Sequence, residues 1–100
     1  MKIDVKKSGH EVEIKLNGPL DGQSSDEAAK EILALLEKGT QLTLDMENCG
    51  YVSSMGLRVL LMAGKQIKIN DGKMRLVNLK EEVMEVMEMT GFASIFTDFA

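Results

Sequence analysis

The sequence is poor in the residues from which catalytic and metal sites are usually built. It has one cysteine, Cys49, and one histidine, His10. A single cysteine forms no internal disulfide, which suits a reducing compartment. One cysteine and one histidine do not make a structural zinc site. Tryptophan is absent, and the aromatics are Tyr51 and three phenylalanines. With a formal net charge of -4, such a chain has no general attraction for phosphate backbones, so direct nucleic-acid binding is not expected. No apolar run approaches the ~18 residues that cross a bilayer, so no membrane insertion is expected. Residues Met1 to Val5 enter a strand-like pattern at once. No signal peptide is therefore expected, and the cytoplasm is the expected location.

What remains is an ordinary globular composition, 44% hydrophobic and 28% charged, over 100 residues. That length fits one compact domain, residues 1–100, which buries roughly two-thirds of its unfolded surface without disulfides or metal. Ile3 and Val5 alternate with charged residues, and Val12, Ile14 and Leu16 do the same. The Ser8-Gly9-His10 turn between them predicts a hairpin. Ser24 stands three residues before Glu27, the spacing of a capping box. Ala28, Ile32, Leu35 and Leu36 follow at helical spacing up to Lys38-Gly39. Leu42, Leu44 and Met46 read as a strand. A second helix is expected from about Ser54, with Leu57, Leu60, Leu61, Gly64 and Ile67 inward, ending at Asn70-Asp71-Gly72. Residues 73–79 predict a strand, and Val83, Val86 and Met87 a third helix closed by Thr90-Gly91. A short last strand is expected at 93–96. Helices between strands imply parallel pairing and right-handed crossovers. The fold class is therefore α/β: a mixed four- to five-stranded sheet with its helices mainly on one side.

The residues offer little to an enzyme. His10 falls in a turn, where a solvated role is expected. Ser54 is preceded by Tyr51-Val52-Ser53, so no Gly-x-Ser-x-Gly elbow exists and no histidine stands by as a base. No phosphate-cradling glycine loop is found, and no cofactor is implied. Cys49 reads as an inert loop or core thiol. A small hydrolase is disfavoured for these reasons.

Two serines, Ser53 and Ser54, stand where a loop hands over to the second helix. One reading is capping, in which a serine oxygen accepts an early amide for ~1 kcal/mol. The other is regulatory. A hydroxyl at a helix N-terminus can accept a phosphoryl group, which the dipole and amides then stabilise. That adds about -1.5 to -2 charges without unfolding the domain. Gly56 costs ~1 kcal/mol in a helix, so a close approach by a backbone or a partner is expected there. On the face opposite the core stripe, Met55, Met62 and Ile69 fall beside Arg58 and Lys65. Scattered surface hydrophobes are common. The sharper reading is a docking patch of Met55, Arg58 and Met62 joined to Ser54.

Leu16-Asn17-Gly18-Pro19-Leu20-Asp21, Leu44-Asp45-Met46, Tyr51-Val52-Ser53-Ser54-Met55-Gly56-Leu57, Val59-Leu60-Leu61, Gly72 to Val77 and Met89-Thr90-Gly91-Phe92 together resemble the landmarks of bacterial STAS domains, anti-sigma factor antagonists in particular. The ordered set covers nearly the whole chain and is specific for the fold more than for the pathway. The resemblance implies a non-enzymatic partner switch. The antagonist binds an anti-sigma factor that is also a serine kinase, a sigma factor is freed, phosphorylation reverses this, and a serine phosphatase resets it. By position the acceptor is Ser54, two residues before Gly56, with Ser53 as the rival. The expected partner-binding residues are then Asp21, Ser53, Ser54 and Gly56, from the resemblance, and Met55, Arg58 and Met62, from the helix phase. Asp21 matches a loop acid near the switch, but it also suits a charge placed near a helix N-terminus. Ser53 departs from the aspartate many members carry there, and Met55 from a common small residue. The alternative is an accessory STAS subunit of a lipid-transport ATPase or a sensory assembly.

Overall fold

A computed structural model describes residues 1–91 and the backbone of residues 98–99. The order is β1 (Lys2–Ser8), β2 (Glu11–Asn17), α1 (Ser25–Ala34), β3 (Gln41–Asp45), α2 (Ser54–Ile69), β4 (Lys73–Val77), α3 (Glu81–Thr90) and β5 (Asp98–Phe99). The strands form one sheet in the order β1-β2-β3-β4-β5. β1 and β2 form the antiparallel hairpin, and the remaining pairs are parallel. Each crossover moves one strand along in the same direction, so right-handed connections put all three helices on one face. The period-2 pattern fixes which face that is. Val12, Ile14, Leu16, Leu42, Leu44, Met74 and Leu76 are buried, while their neighbours Glu11, Glu13, Gln41, Lys73 and Arg75 stay exposed.

Several boundaries differ from the sequence expectation for local reasons. α1 stops at Ala34, about a turn short of Lys38-Gly39, because the amides of Leu35 and Leu36 bond back three residues to Ile32 and Leu33. Thr40 Oγ1 then accepts the amide of Glu37 at 2.8 Å, fixing the chain in a loop. Leu35 and Leu36 still pack on the core from that loop. β4 ends at Val77 because Asn78 turns left-handed at φ 56° and donates its side-chain amide to Asp45. The last strand is at Asp98–Phe99; the expected one at 93–96 lies outside the described residues.

α2 buries Gly56, Leu57, Val59, Leu60, Ala63, Gly64 and Ile67. At ~100° per residue this arc is about 160° wide. It includes Val59 and Ala63, which the expected stripe omitted, and leaves Leu61 half-buried at its margin. α2 packs beside α1 as well as on the sheet, which widens the buried side. Leu20, also unassigned by periodicity, is fully buried.

Candidate functional site

The site is built where the loop after β2 meets the loop before α2. Leu20 and Val52 form an isolated parallel bridge. The Leu20 amide donates to the Tyr51 carbonyl and the Ser53 amide donates to the Leu20 carbonyl, each at 2.9 Å. Ser53 is the N-cap of α2: its Oγ accepts the Gly56 amide at 3.2 Å. The same hydroxyl lies 3.4 Å from the Leu20 carbonyl, to which it donates. Ser53 is thus half-buried and engaged on both sides. Ser54, the first helical residue, is exposed.

Gly56 is buried beneath this junction. A Cβ there would collide with the Leu20 carbonyl oxygen and come within 3.0 Å of Leu20 Cγ and Val52 Cγ1. The glycine that costs ~1 kcal/mol of helix propensity therefore lets two loops close on each other. Gly56→Ala is expected to lower stability despite its better propensity, because overpacking costs about 1–3 kcal/mol. Equilibrium urea unfolding checks this, and a variant as stable as the parent would show that the loops yield easily.

The expected capping box is not formed. Ser24 has helical backbone angles and makes no side-chain cap bond to α1. Its hydroxyl is turned inward, accepting the Asp21 amide at 3.0 Å and donating to the Pro19 carbonyl at 2.8 Å. Asp21 caps the turn instead: its Oδ1 accepts the amides of Gln23 at 3.0 Å and Ser24 at 3.1 Å. These bonds, that from the Ser24 amide foremost, hold its carboxyl below the ordinary aspartate range. A depressed value means the charged form is favoured by the fold. The stabilisation is therefore complete above the ordinary range and is lost as pH falls through the folded value. Asp21→Ala is expected to melt below the parent at neutral pH, with the gap closing in acid. Thermal melts from neutral pH to about pH 2 check this. A gap that ignores pH would mean the carboxylate charge is irrelevant.

Around this junction three large apolar side chains are exposed among polar ones. Met55 is 44% exposed, Met62 42% and Tyr51 59%. Arg58 is exposed between the two methionines. Gly22 faces the Met55 sulfur, with a Cβ position 3.8 Å from it, so the Asp21 loop borders the same surface. The structure thus brings together Ser53, Ser54 and Met55, sets Arg58 and Met62 along the outer face of α2, and ties Asp21 in through Leu20. Tyr51, in the loop between β3 and α2 and outside any periodic pattern, adds a surface residue that the sequence reading did not single out. Cys49 itself is buried, its thiol donating to the Tyr51 carbonyl at 3.4 Å, and burial pushes its pKa up. Among the described residues no cluster of metal-ligating side chains occurs, and no helix is long and apolar enough to cross a membrane.

The chain is thus a small α/β domain, a mixed sheet with its helices on one face and two serines at the start of α2. The family model for the STAS domain matches residues 2–100, and the chain belongs to that family. It is 35% identical over 97 residues to BtrV of Bordetella bronchiseptica, a candidate anti-sigma factor antagonist, covering 96% of this chain and 84% of that one. It is 26% identical over 95 residues to the anti-sigma-B factor antagonist of Bacillus subtilis, covering 95% and 87%. A candidate anti-sigma factor antagonist from Thermotoga maritima superposes with a TM-score of 0.88 at 21% identity, over 98% of this chain and 86% of that one. The phosphorylated form of the Bacillus cell-fate determinant SpoIIAA superposes at 0.73 and 17% identity, over 97% and 90%.

Proposed function

We propose that this chain is an anti-sigma factor antagonist working in the cytoplasm as the phosphorylatable member of a partner switch. In its unphosphorylated form it binds an anti-sigma factor that is also a serine kinase, and so frees a sigma factor. The kinase moves the γ-phosphoryl of ATP to Ser54 Oγ, ADP leaves, and the complex separates. A serine phosphatase hydrolyses the phosphoester and resets the cycle. The chain itself catalyses nothing. The names of its relatives support the antagonist role.

The observation that carries the choice of residue is the contrast between two adjacent serines. Ser53 Oγ is engaged by the Gly56 amide and the Leu20 carbonyl. Ser54 is exposed, on a helix whose first turn contains no acidic residue. Phosphorylating Ser53 would remove the proton it donates to the Leu20 carbonyl and set a phosphate against that oxygen; phosphorylating Ser54 adds charge where the helix dipole favours it and disturbs no loop contact. Tyr51, Met55, Arg58 and Met62 then form the contact surface, with the Asp21 loop at its border.

The test is phosphotransfer from a cognate kinase-type anti-sigma factor, read by mass spectrometry. One phosphoryl group is expected on the parent and on Ser53→Ala, and none on Ser54→Ala. Phosphate lost only in Ser53→Ala would move the switch by one residue. Absence of transfer together with co-purification of a transport ATPase would instead support the accessory-subunit reading.

A further inference from the structure

Among the described residues β1 lies at the edge of the sheet and pairs only with β2 along its seven residues, Lys2–Ser8. Ser8 and Glu11 face each other across the Gly9-His10 turn. Gly9 has φ 59°, as the first central residue of a type II′ hairpin turn requires. The pair flanking such a two-residue turn exchanges both hydrogen bonds, and hydrogen-bonded pairs alternate from there. Ser8, Lys6, Asp4 and Lys2 therefore direct their backbone groups to β2. Ile3, Val5 and Lys7 direct theirs out of the sheet. Val5 is also 44% exposed.

We propose that two copies of the chain join antiparallel through β1, with the two-fold axis at Val5, into one continuous sheet. This goes beyond the partner switch and does not depend on it. The charges of β1 select the register. With the axis at Val5, Asp4 of each copy faces Lys6 of the other on the helix-free face. Val5 faces Val5, and Ile3 faces the aliphatic stem of Lys7, whose ammonium is already drawn to Glu37 at 3.5 Å. All three outward residues then pair. An axis at Asp4 or Lys6 sets like charges opposite each other and leaves the outward groups off centre. An axis at Ile3 needs Met1, whose amine is held by Glu27 at 3.7 Å. Lysines commonly guard a sheet edge against foreign strands; here their placement also leaves one self-complementary register.

One strand pair is a small interface, so association should be weak, with Kd roughly 0.1–1 mM at low salt. Sedimentation equilibrium of the full chain up to about 1 mM reads it, using Asp4→Lys and Lys6→Asp. Each variant alone sets like charges across the dimer twice and should weaken association about tenfold or more. An equimolar mixture restores opposite charges in both directions and should recover association. Each variant also sets like charges opposite Lys15 or Glu13 within its own hairpin, so recovery in the mixture separates lost pairing from lost folding. A parent that stays monomeric overturns the proposal. So does association that ignores Lys6→Asp, or a mixture that does not recover.

Discussion

Ser54→Asp should weaken binding of the anti-sigma partner by roughly 30- to several-thousand-fold, the equivalent of ~2 to 5 kcal/mol for a charge left unpaired in an interface. Its melting temperature should not fall. Ser54 is exposed at the first position of α2, and no acidic residue occupies that turn. A carboxylate there meets the positive end of the helix dipole, a favourable ~0.3 to 1 kcal/mol at low salt. Binding and stability are therefore expected to move in opposite directions, which general damage to the fold cannot produce. Calorimetric titration against the unphosphorylated partner, paired with a thermal melt, reads both. Unchanged affinity would remove Ser54 from the interface.

The same pair of measurements on Ser53→Asp should give a different result. Aspartate at an N-cap can still accept the Gly56 amide, as serine does. It cannot donate to the Leu20 carbonyl, which Ser53 Oγ reaches at 3.4 Å. Ser53 therefore joins two loops, whereas Ser54 is exposed beside it. Under the proposed switch, a phosphoryl group on Ser54 would change the surface without loosening the junction that Ser53 holds.

Much of this architecture was legible because period-2 and period-3.6 patterns report directly on burial. The hairpin, β3, the phase of α2 and the closure of α3 at Gly91 follow from residues such as Val12, Leu44, Leu60 and Met87. What was hidden depends on contacts between distant segments. Ser24 has the spacing of a capping residue, but the Pro19 carbonyl and the Asp21 amide take its hydroxyl. Val59 and Ala63 continue the i, i+4 apolar spacing to Ile67, and the packing of α2 beside α1 makes the buried arc wide enough to take them in. The need for glycine at position 56 was visible; that the Leu20 carbonyl fills the space was not. Asp21 was ambiguous in sequence, and its bonds to the Gln23 and Ser24 amides supply a capping role whether or not a partner also touches it.

Met62→Glu should abolish partner binding while leaving the domain folded. The expectation rests on helix phase. Met55, Arg58, Met62 and Ile69 fall within about 60° of one another at ~100° per residue, opposite the arc of Gly56, Leu60, Ala63 and Ile67. Exposure follows that phase: Met62 is 42% exposed and Ile69 73%, while Ala63, the next residue, is fully buried. A glutamate at 62 therefore meets water in the free domain and is tolerated within about 0.5 kcal/mol. In a complex it would replace a flexible thioether with a carboxylate, and even with Arg58 one turn away to pair with it, desolvating the charge and losing the apolar contact should cost ~2 kcal/mol or more. Ala63→Glu is the matched control. It puts the same charge against α1 and the sheet, so it should unfold the domain or lower its melting temperature by 10 °C or more, about 2 kcal/mol at ~4–8 °C per kcal/mol. Far-UV circular dichroism with a binding titration distinguishes the pair. A Met62→Glu domain that folds and binds as tightly as the parent would put the interface elsewhere, on the Asp21 loop or around Tyr51. A Met62→Glu domain that fails to fold would mean that the outer face of α2 is covered within the domain itself.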